Sequence, residues 1–170
     1  MRQGVPVLPD INTILYASDI RQGSRPAFRM AVKLAVENKA DIVFLHACEP
    51  FDSEMQDRVQ DYLPKKITNI HAAQIIEAQQ QRVNDRIQSF LDEELDDSVA
   101  LPSRPKVVVR TGKPDQVILA VAKEFDANLI VMGDRTTSTL SRMFLGSTSQ
   151  NVIHQSPTPV LIVPLAANKN

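Results

Sequence analysis

The alternation of short apolar runs with helical stripes is the feature that most restricts how this 170-residue chain can fold. Short apolar runs are typical of strands buried on both faces of a sheet. The segments between them repeat apolar residues every three or four positions, as the buried side of a helix does. Strands that alternate with helices form a parallel sheet covered by helices on both faces. The predicted strands lie at residues 12–17, 41–47, 106–109, 129–132 and 160–163.

Helices are predicted between these strands. The first ends near Asn38 and takes Ser24 as its N-cap, because a serine oxygen can accept a bond from the helix start. A long, polar helix spans residues 65–95, and its second half carries the apolar stripe. The third helix begins at Pro114, which is tolerated in a first turn.

The predicted architecture is a single α/β domain over residues 1–170, with an open, parallel, five-stranded and Rossmann-like sheet. A length of 170 residues fits one domain. The core is expected at about residues 12–165, with a polar helical insertion at about residues 51–75. Two strand orders, 2-1-3-4-5 and 3-2-1-4-5, fit this pattern. In either order, ligands bind at the carboxyl ends of the strands where the strand order reverses.

Composition excludes several classes of function. The 19 basic and 20 acidic residues give a net charge of -1, so no basic excess attracts nucleic acid or an anionic membrane. The single cysteine, Cys48, excludes an internal disulfide and is interpreted as a small, semi-buried hydrophobe in a reducing compartment. No apolar run approaches the ~20 residues that span a bilayer. We therefore expect a cytoplasmic protein that binds neither nucleic acid nor membrane.

The loop after the fourth strand is a candidate phosphate site. Gly133 follows that strand, and Gly146 precedes Ser147, which is predicted to cap a short helix at residues 147–154. Helix starts bind anions through free N–H groups and the positive end of the helix dipole. The loop lacks a Walker A motif and a G-x-G-x-x-G fingerprint, so an ordinary polar loop before a capped helix is the alternative. Hydroxyl donors are available at Thr136, Thr137, Ser138, Thr139, Ser147 and Thr148.

Other side chains give no sign of catalysis. His46 ends a strand and is interpreted as a structural, hydrogen-bonded residue, and no metal-ligand spacing involves it. Asp134 and Arg135 are interpreted as solvent-facing neighbours, and Val152 and Ile153 are expected to face inward from the last helix. There is no nucleophile elbow and no defensible acid–base pair. We expect the protein not to be an enzyme.

Several motifs occur in an order that is typical of one family. They are ILYASD at 14–19, FLHA at 44–47, LIVMG at 129–133, LGS at 145–147 and TPVLIVP at 158–164. Together they resemble the universal stress proteins. Members of that family carry an Asp after the first strand, a His and a small residue at the end of the second, and a G-2x-G-9x-G-[ST] loop after the fourth. The resemblance implies the strand order 3-2-1-4-5, which brings Asp19 and Gly133 to face each other.

The resemblance also implies a site for ATP or another adenine nucleotide, with Mg²⁺ as a possible companion ion. In ATP-binding members the Asp after the first strand lies by the adenine and ribose, and the backbone after the His meets the adenine. In those members the glycine loop wraps the ribose and phosphates. In this chain, Arg142 of the same loop could add a cation beside the phosphates. Carried over to this chain, the nucleotide-binding residues are Ala17, Ser18, Asp19, Ala47, Met132, Gly133, Arg135, Thr136, Gly146, Ser147 and Thr148.

One position departs from the family motif, because Thr136 replaces the second loop glycine while the spacing is kept. Where that position requires a positive φ, a β-branched residue costs roughly 1–2 kcal/mol. Thr136 therefore favours a second hypothesis, a nucleotide-independent interaction module of the same family. The first hypothesis is a nucleotide-binding regulatory protein whose ligand biases binding of an unknown protein partner. A slow ATPase is the third.

The last predicted strand implies a partner. Its apolar run of Val160, Leu161, Ile162 and Val163 would lie at a sheet edge, and exposed edges need covering. The resemblance implies antiparallel pairing of this strand between two subunits. We therefore expect a homodimer.

Overall fold

The computed structural model describes residues 8–21, 23–49, 65–135 and 145–165. Strands and helices alternate along the chain, as predicted. The strands are β1 (Thr13–Ala17), β2 (Asp41–Cys48), β3 (Lys106–Thr111), β4 (Leu129–Arg135) and β5 (Val160–Leu165). The helices are α1 (Arg25–Asn38), α2 (Lys65–Glu94), α3 (Pro114–Glu124) and α4 (Ser147–Gln155).

All described strands pair in parallel in one sheet of order β3-β2-β1-β4-β5, which confirms the 3-2-1-4-5 prediction. β1 is the central strand, where Ile14 is in register with Ile42 of β2 and with Leu129 of β4. From β1 the chain builds outward to β2 and β3 on one side, and then to β4 and β5 on the other. The order therefore reverses between β1 and β4, where a crevice at the carboxyl ends can hold a ligand.

Successive residues of β1 point to opposite faces of the sheet, as strand geometry requires. Ile14 and Tyr16 pack in the layer covered by α1 and α2. Leu15 and Ala17 pack in the layer covered by α3 and α4. The four residues are buried, so the short apolar run of β1 fills both layers of the core.

Aromatic rings form the centre of the first layer. Tyr16 meets Phe44 edge-on with ring centroids 4.9 Å apart, and Phe28 of α1 lies 5.1 Å from Phe90 of α2. Phe28 and Phe44 are 5.8 Å apart, which joins the pairs into one cluster. The Tyr16 hydroxyl donates to the carbonyl of Ser24 at 3.3 Å, so this buried phenol has a polar partner. The cluster thus fixes the segment that leads from β1 into α1.

Cys48 is buried at the end of β2, and desolvation raises the pKa of its thiol. A thiol with a raised pKa forms little thiolate and is a poor nucleophile. Cys48 is thus a small hydrophobe, as interpreted from the sequence, but it is buried rather than semi-buried.

The predicted serine caps are wrong at both helix starts. Ser24 precedes α1 with φ -76° and ψ -14°, a helical conformation, and its side chain makes no capping bond. A capping serine normally adopts extended angles, which direct its oxygen to the helix start. At α4 the residue with extended angles is Gly146, and Ser147 is already the first helical residue.

Of the two residues predicted to face inward from α4, one does so. Val152 is buried, but Ile153 is 39% exposed. Consecutive helix residues are about 100° apart around the axis, so Ile153 lies at the side of the helix while Val152 faces the sheet. 

Gly133 lies within β4 rather than after it, because the strand runs three residues beyond the predicted end. Glycine is required at this position because a side chain of the next strand approaches closely, and not because the backbone has a positive φ. A Cβ atom at this position would lie 2.5 Å from Cδ1 of Leu165 in β5. Gly146 has a φ of -58°, so it too needs no left-handed conformation.

The predicted insertion at about residues 51–75 lies partly outside the described residues, so the single-domain organisation stays a prediction. Across the described ranges, no helix has both the length and the apolar character to cross a membrane.

Truncating the aromatic cluster should destabilise the domain strongly. Phe28→Ala removes a fully buried ring and should lower the free energy of unfolding by ~3–5 kcal/mol, as measured by urea denaturation. Met30→Ala lies on the same helix with 40% of the residue exposed, and should cost less than ~1 kcal/mol. Equal losses in the two variants would contradict the assignment of this core.

Filling the space at Gly133 should strain the β4–β5 contact. Gly133→Ala should cost ~1–3 kcal/mol through overpacking against Leu165. In a Leu165→Ala background the same change should cost markedly less, because the clashing branch is gone. Urea denaturation of the four proteins of this double-mutant cycle measures the coupling. Additive losses would show that close approach is not why glycine occupies the position.

Candidate functional site

A cavity of about 430 Å³ opens at the carboxyl ends of β1 and β4. Its volume lies within the ~300–1,000 Å³ typical of small-molecule sites. The ends of β1, β2 and β4, the loop after β1 and the start of α4 form its walls. This is the reversal of strand order at which a ligand is expected.

The structure brings most of the sequence-predicted site residues together around this cavity. The lining includes residues from segments that are distant in the chain: Ala17, Ser18, Asp19, Ala47, Met132, Gly133, Gly146, Ser147 and Thr148. Arg135 ends β4, but its side chain is not among those described. Thr136 and Arg142 lie outside the described residues.

The loop after β1 is held in a strained conformation. Ser18 extends the pairing of β1 by donating its N–H to the carbonyl of Leu45 at 2.9 Å. Its hydroxyl accepts the N–H of Ile20 at 3.0 Å. Ile20 has a φ of 52°, and a left-handed conformation costs a β-branched residue roughly 1–2 kcal/mol. Such strain persists only where the surroundings impose it, and it is concentrated at functional sites.

Asp19 sits on this loop with 42% of its side chain exposed. One carboxylate oxygen accepts the N–H of Arg21 at 3.1 Å, and the other lies 3.9 Å from Nε of the same arginine. An ionised carboxylate only accepts hydrogen bonds. Asp19 is therefore suited to a ligand that presents hydroxyl or amine donors.

His46 links β2 to the loop after β1. Its Nδ1 atom lies 2.8 Å from the carbonyl oxygen of Ser18. A carbonyl can only accept, so Nδ1 carries the proton and donates. His46 thus has the structural, hydrogen-bonded position predicted for it, and it holds the backbone that precedes Asp19.

Asp134 is the site residue that sequence reasoning misjudged. It is only 7% exposed, and its Oδ1 accepts the N–H of Gly146 at 3.1 Å. The prediction that it faces solvent is wrong because β4 continues past Met132. Side chains alternate between the two faces of a strand, so Asp134 lies on the same face as Met132 and Ile130. This two-residue period is the signal in the sequence that could have predicted its burial.

The Asp134 carboxylate lies at the start of α4, where a negative charge is favoured by the helix dipole by ~0.3–1 kcal/mol. It takes the place of the serine cap expected from the sequence. A Cβ atom on Gly146 would lie 3.5 Å from Oδ1 of Asp134, an ordinary van der Waals contact, so the carboxylate does not by itself require glycine at this position.

A second buried aspartate supports α4 from the neighbouring helix. Asp115 of α3 accepts a bond from Nδ2 of Asn151 at 2.9 Å, and Nζ of Lys113 lies 3.8 Å from the same carboxylate oxygen. The two helices are thereby joined near the cavity, where Pro114 and Ile118 of α3 also line the wall.

Negative charge dominates the described part of the cavity. Three carboxylates line it, those of Asp19, Glu49 and Asp134, against the single guanidinium of Arg21. Within the described ranges, no group of three or more His, Cys, Asp or Glu side chains is close enough to hold a metal ion.

Curated relatives match most of the chain over nearly their full length. It is 31% identical over 154 residues to the universal stress protein Sll1388 of Synechocystis sp., covering 88% of this chain and 96% of that protein. It is 32% identical over 153 residues to a universal stress protein of Thermus aquaticus, covering 89% and 97% respectively.

Solved structures share the fold at lower identity. The protein MJ0577 of Methanocaldococcus jannaschii superimposes with a TM-score of 0.68 at 20% identity, over 94% of this chain and 98% of that one. A universal stress protein in complex with cAMP has a TM-score of 0.53 at 19% identity, over 93% of this chain and 100% of the other.

The model of the universal stress protein family matches residues 10–164, which include β1 to β4, all of β5 except its last residue, and every described lining residue of the cavity except Leu165. This match and the curated relatives show that the chain belongs to the universal stress protein family.

Proposed function

We propose that this protein is an adenine-nucleotide-binding regulatory protein of the stress response and not an enzyme. The ligand is ATP or another adenine nucleotide, with or without Mg²⁺. The observation that carries the proposal is that one cavity at the sheet's reversal point gathers the described residues of the family motif. 

The cavity offers chemistry for each part of such a ligand. Ala17, Ala47 and Met132 give small or apolar walls suited to a flat base. Asp19 offers acceptor oxygens to ribose hydroxyls. The first turn of α4 also lines the cavity, and helix starts favour phosphate.

A fold relative supports the ligand class. One universal stress protein of this fold is in complex with cAMP, which is an adenine nucleotide. 

The hydrogen bonds of the lining side chains support a regulatory role rather than catalysis. His46 donates its Nδ1 proton to a backbone carbonyl, and Asp134 holds the start of α4, so neither is arranged as a base beside a nucleophile. A ligand that binds only the folded state stabilises it, and one that prefers one conformation shifts the population. We propose that a protein partner in the cytoplasm binds one of these conformations more tightly and so responds to the ligand.

The first test is calorimetric titration of the purified protein with ATP and Mg²⁺. We expect a Kd of ~1 µM or tighter, and a loss of at least ~10-fold in Asp19→Ala because ribose acceptors are removed. Asp85→Ala, on the exposed side of α2, is the control for a lost negative charge and should bind like the natural protein.

The same titration separates the alternative function. If the natural protein does not bind adenine nucleotides and Thr136→Gly does, the nucleotide-independent interaction module is the better description. 

We further propose a homodimer formed through β5. This strand is at one edge of the sheet, and its residues Val160, Leu161, Ile162 and Val163 are each only partly buried. The edge of a sheet is a template for pairing with another strand.

A charge on β5 should therefore dissociate the dimer. Leu161→Glu should sediment as a monomer, whereas Met30→Glu, at an exposed apolar position of α1, should keep the natural mass. Far-UV circular dichroism checks that both variants are folded. A folded Leu161→Glu dimer would count against this interface.

A further inference from the structure

We infer that a second cavity of this domain binds a small monocarboxylate with an apolar body, of the arylalkanoate class. The cavity has a volume of about 500 Å³ and lies between the loop after β1, the start of α1 and the second half of α2. Its volume is within the ~300–1,000 Å³ typical of small-molecule sites. Binding at this site does not require a nucleotide.

Apolar side chains form one part of the lining of this second cavity: Ile20, Phe44, Ile87 and Phe90. The rings of Phe44 and Phe90 meet edge-on with centroids 6.0 Å apart, and Phe90 is only partly buried. An aromatic ring that is partly exposed can pack against a further ring in the same way. Burial of apolar surface favours binding, so these walls suit a ligand that carries a ring or a short hydrocarbon chain.

Arginines form the polar part of the lining. The second cavity is lined by Arg21, Arg25 and Arg86, and no carboxylate occurs among its described lining residues. Arg25 is already paired, because its guanidinium lies 2.9 Å from a carboxylate oxygen of Glu93 and 2.7 Å from one of Glu94. Its charge is therefore offset by the protein itself.

Arg86 differs from the other two arginines. Arg21 lies 3.9 Å from the carboxylate of Asp19, whereas Arg86 has no ion pair within the described ranges and makes a long hydrogen bond of 3.5 Å to the carbonyl of Ile20. A guanidinium presents five N–H donors in a planar fork that matches a carboxylate. One cation without an ion pair matches a ligand with one negative charge, which is why we assign a monocarboxylate.

The loop after β1 lines both cavities of the domain. They share Ser18, Arg21 and Ser24, but Arg86 and the apolar walls belong to the second cavity alone. The left-handed residue of this loop, Ile20, is also part of the second lining, and strain of that kind is concentrated at functional sites.

A purely structural role for Arg86 is the competing account, in which it only holds the loop through the carbonyl of Ile20. A neutral ligand of the same shape distinguishes the two accounts. Loss of an anchoring charge weakens binding of the carboxylate and not of its amide. Loss of a structural contact weakens binding of both.

The experiment is a titration of the ¹⁵N-labelled full chain, without nucleotide, followed by the chemical shifts of backbone amides. The probe, 3-phenylpropionate, should shift the amides of Ile87 and Phe90 with a Kd below ~1 mM. Its neutral analogue 3-phenylpropionamide lacks the charge, and acetate lacks the ring. Each should bind at least ~10-fold more weakly than 3-phenylpropionate.

Arg86→Gln should weaken binding of 3-phenylpropionate by ~10-fold or more and binding of the amide by less than ~2-fold. The control is Arg82→Gln, which makes the same change at an exposed position one turn earlier on α2, outside the described lining, and should bind like the natural protein. A thermal unfolding scan checks the fold of both variants. Arg86→Met, which also removes the charge, is the second variant should Arg86→Gln fail to fold.

The outcomes are separable. Equal binding of 3-phenylpropionate by the natural protein and Arg86→Gln, equal losses for the acid and the amide, or no saturable shift overturns the inference. Shifts centred on Ala47 and Thr148 of the nucleotide cavity overturn it as well. All of these results leave the proposed nucleotide site standing. Saturable shifts at Ile87 and Phe90 in a protein that binds no adenine nucleotide would support this site and overturn the proposed function.

Discussion

The burial of β1 on every side is the constraint from which the rest of the structure follows. Hydrogen bonds to β2 and β4 occupy both of its edges, and packed layers cover both faces. A strand in that position forces the chain to build the sheet outward in two directions. The helices on either side of the reversal then diverge, and the carboxyl end of β1 opens into a cavity. The site is thus a consequence of topology before any particular side chain is considered.

The aromatic cluster connects the buried strand β1 to the loop that forms one wall of the site. Tyr16 packs among buried rings, and its hydroxyl donates a hydrogen bond to the carbonyl of Ser24, the residue that precedes α1. The residues between them must therefore close a short loop between two fixed ends, and Ile20 takes a left-handed conformation there. His46 fixes the same loop from β2. Asp19 is in this way presented to the cavity by a loop with little freedom, which lowers the entropy lost when a ligand binds.

The alternation of strands and helices and the two layers of the core could be predicted from the sequence, because hydrophobic periodicity decides them. Periodicity left two strand orders open, and the correct order and the gathering of the motif residues were predicted from the family resemblance. Local details failed where tertiary contacts decide the outcome. Ser24 could not act as a side-chain cap once its backbone adopted helical angles. The need for glycine at 133 depends on Leu165, more than thirty residues away, and no local pattern contains that contact. Asp134 was misjudged because β4 continued beyond its apolar run, and burial of a carboxylate is not expected from composition.

The start of α4 shows how one buried carboxylate joins the sheet to a helix of the cavity wall. A helix start needs an anion or a capping oxygen, and in this chain Asp134 supplies it from the end of β4. The bond holds the start of α4 against the carboxyl end of that strand, where Gly146, Ser147 and Thr148 line the cavity. The position of the helix in the wall is therefore set by the same strand that pairs with β1 along the reversal of strand order.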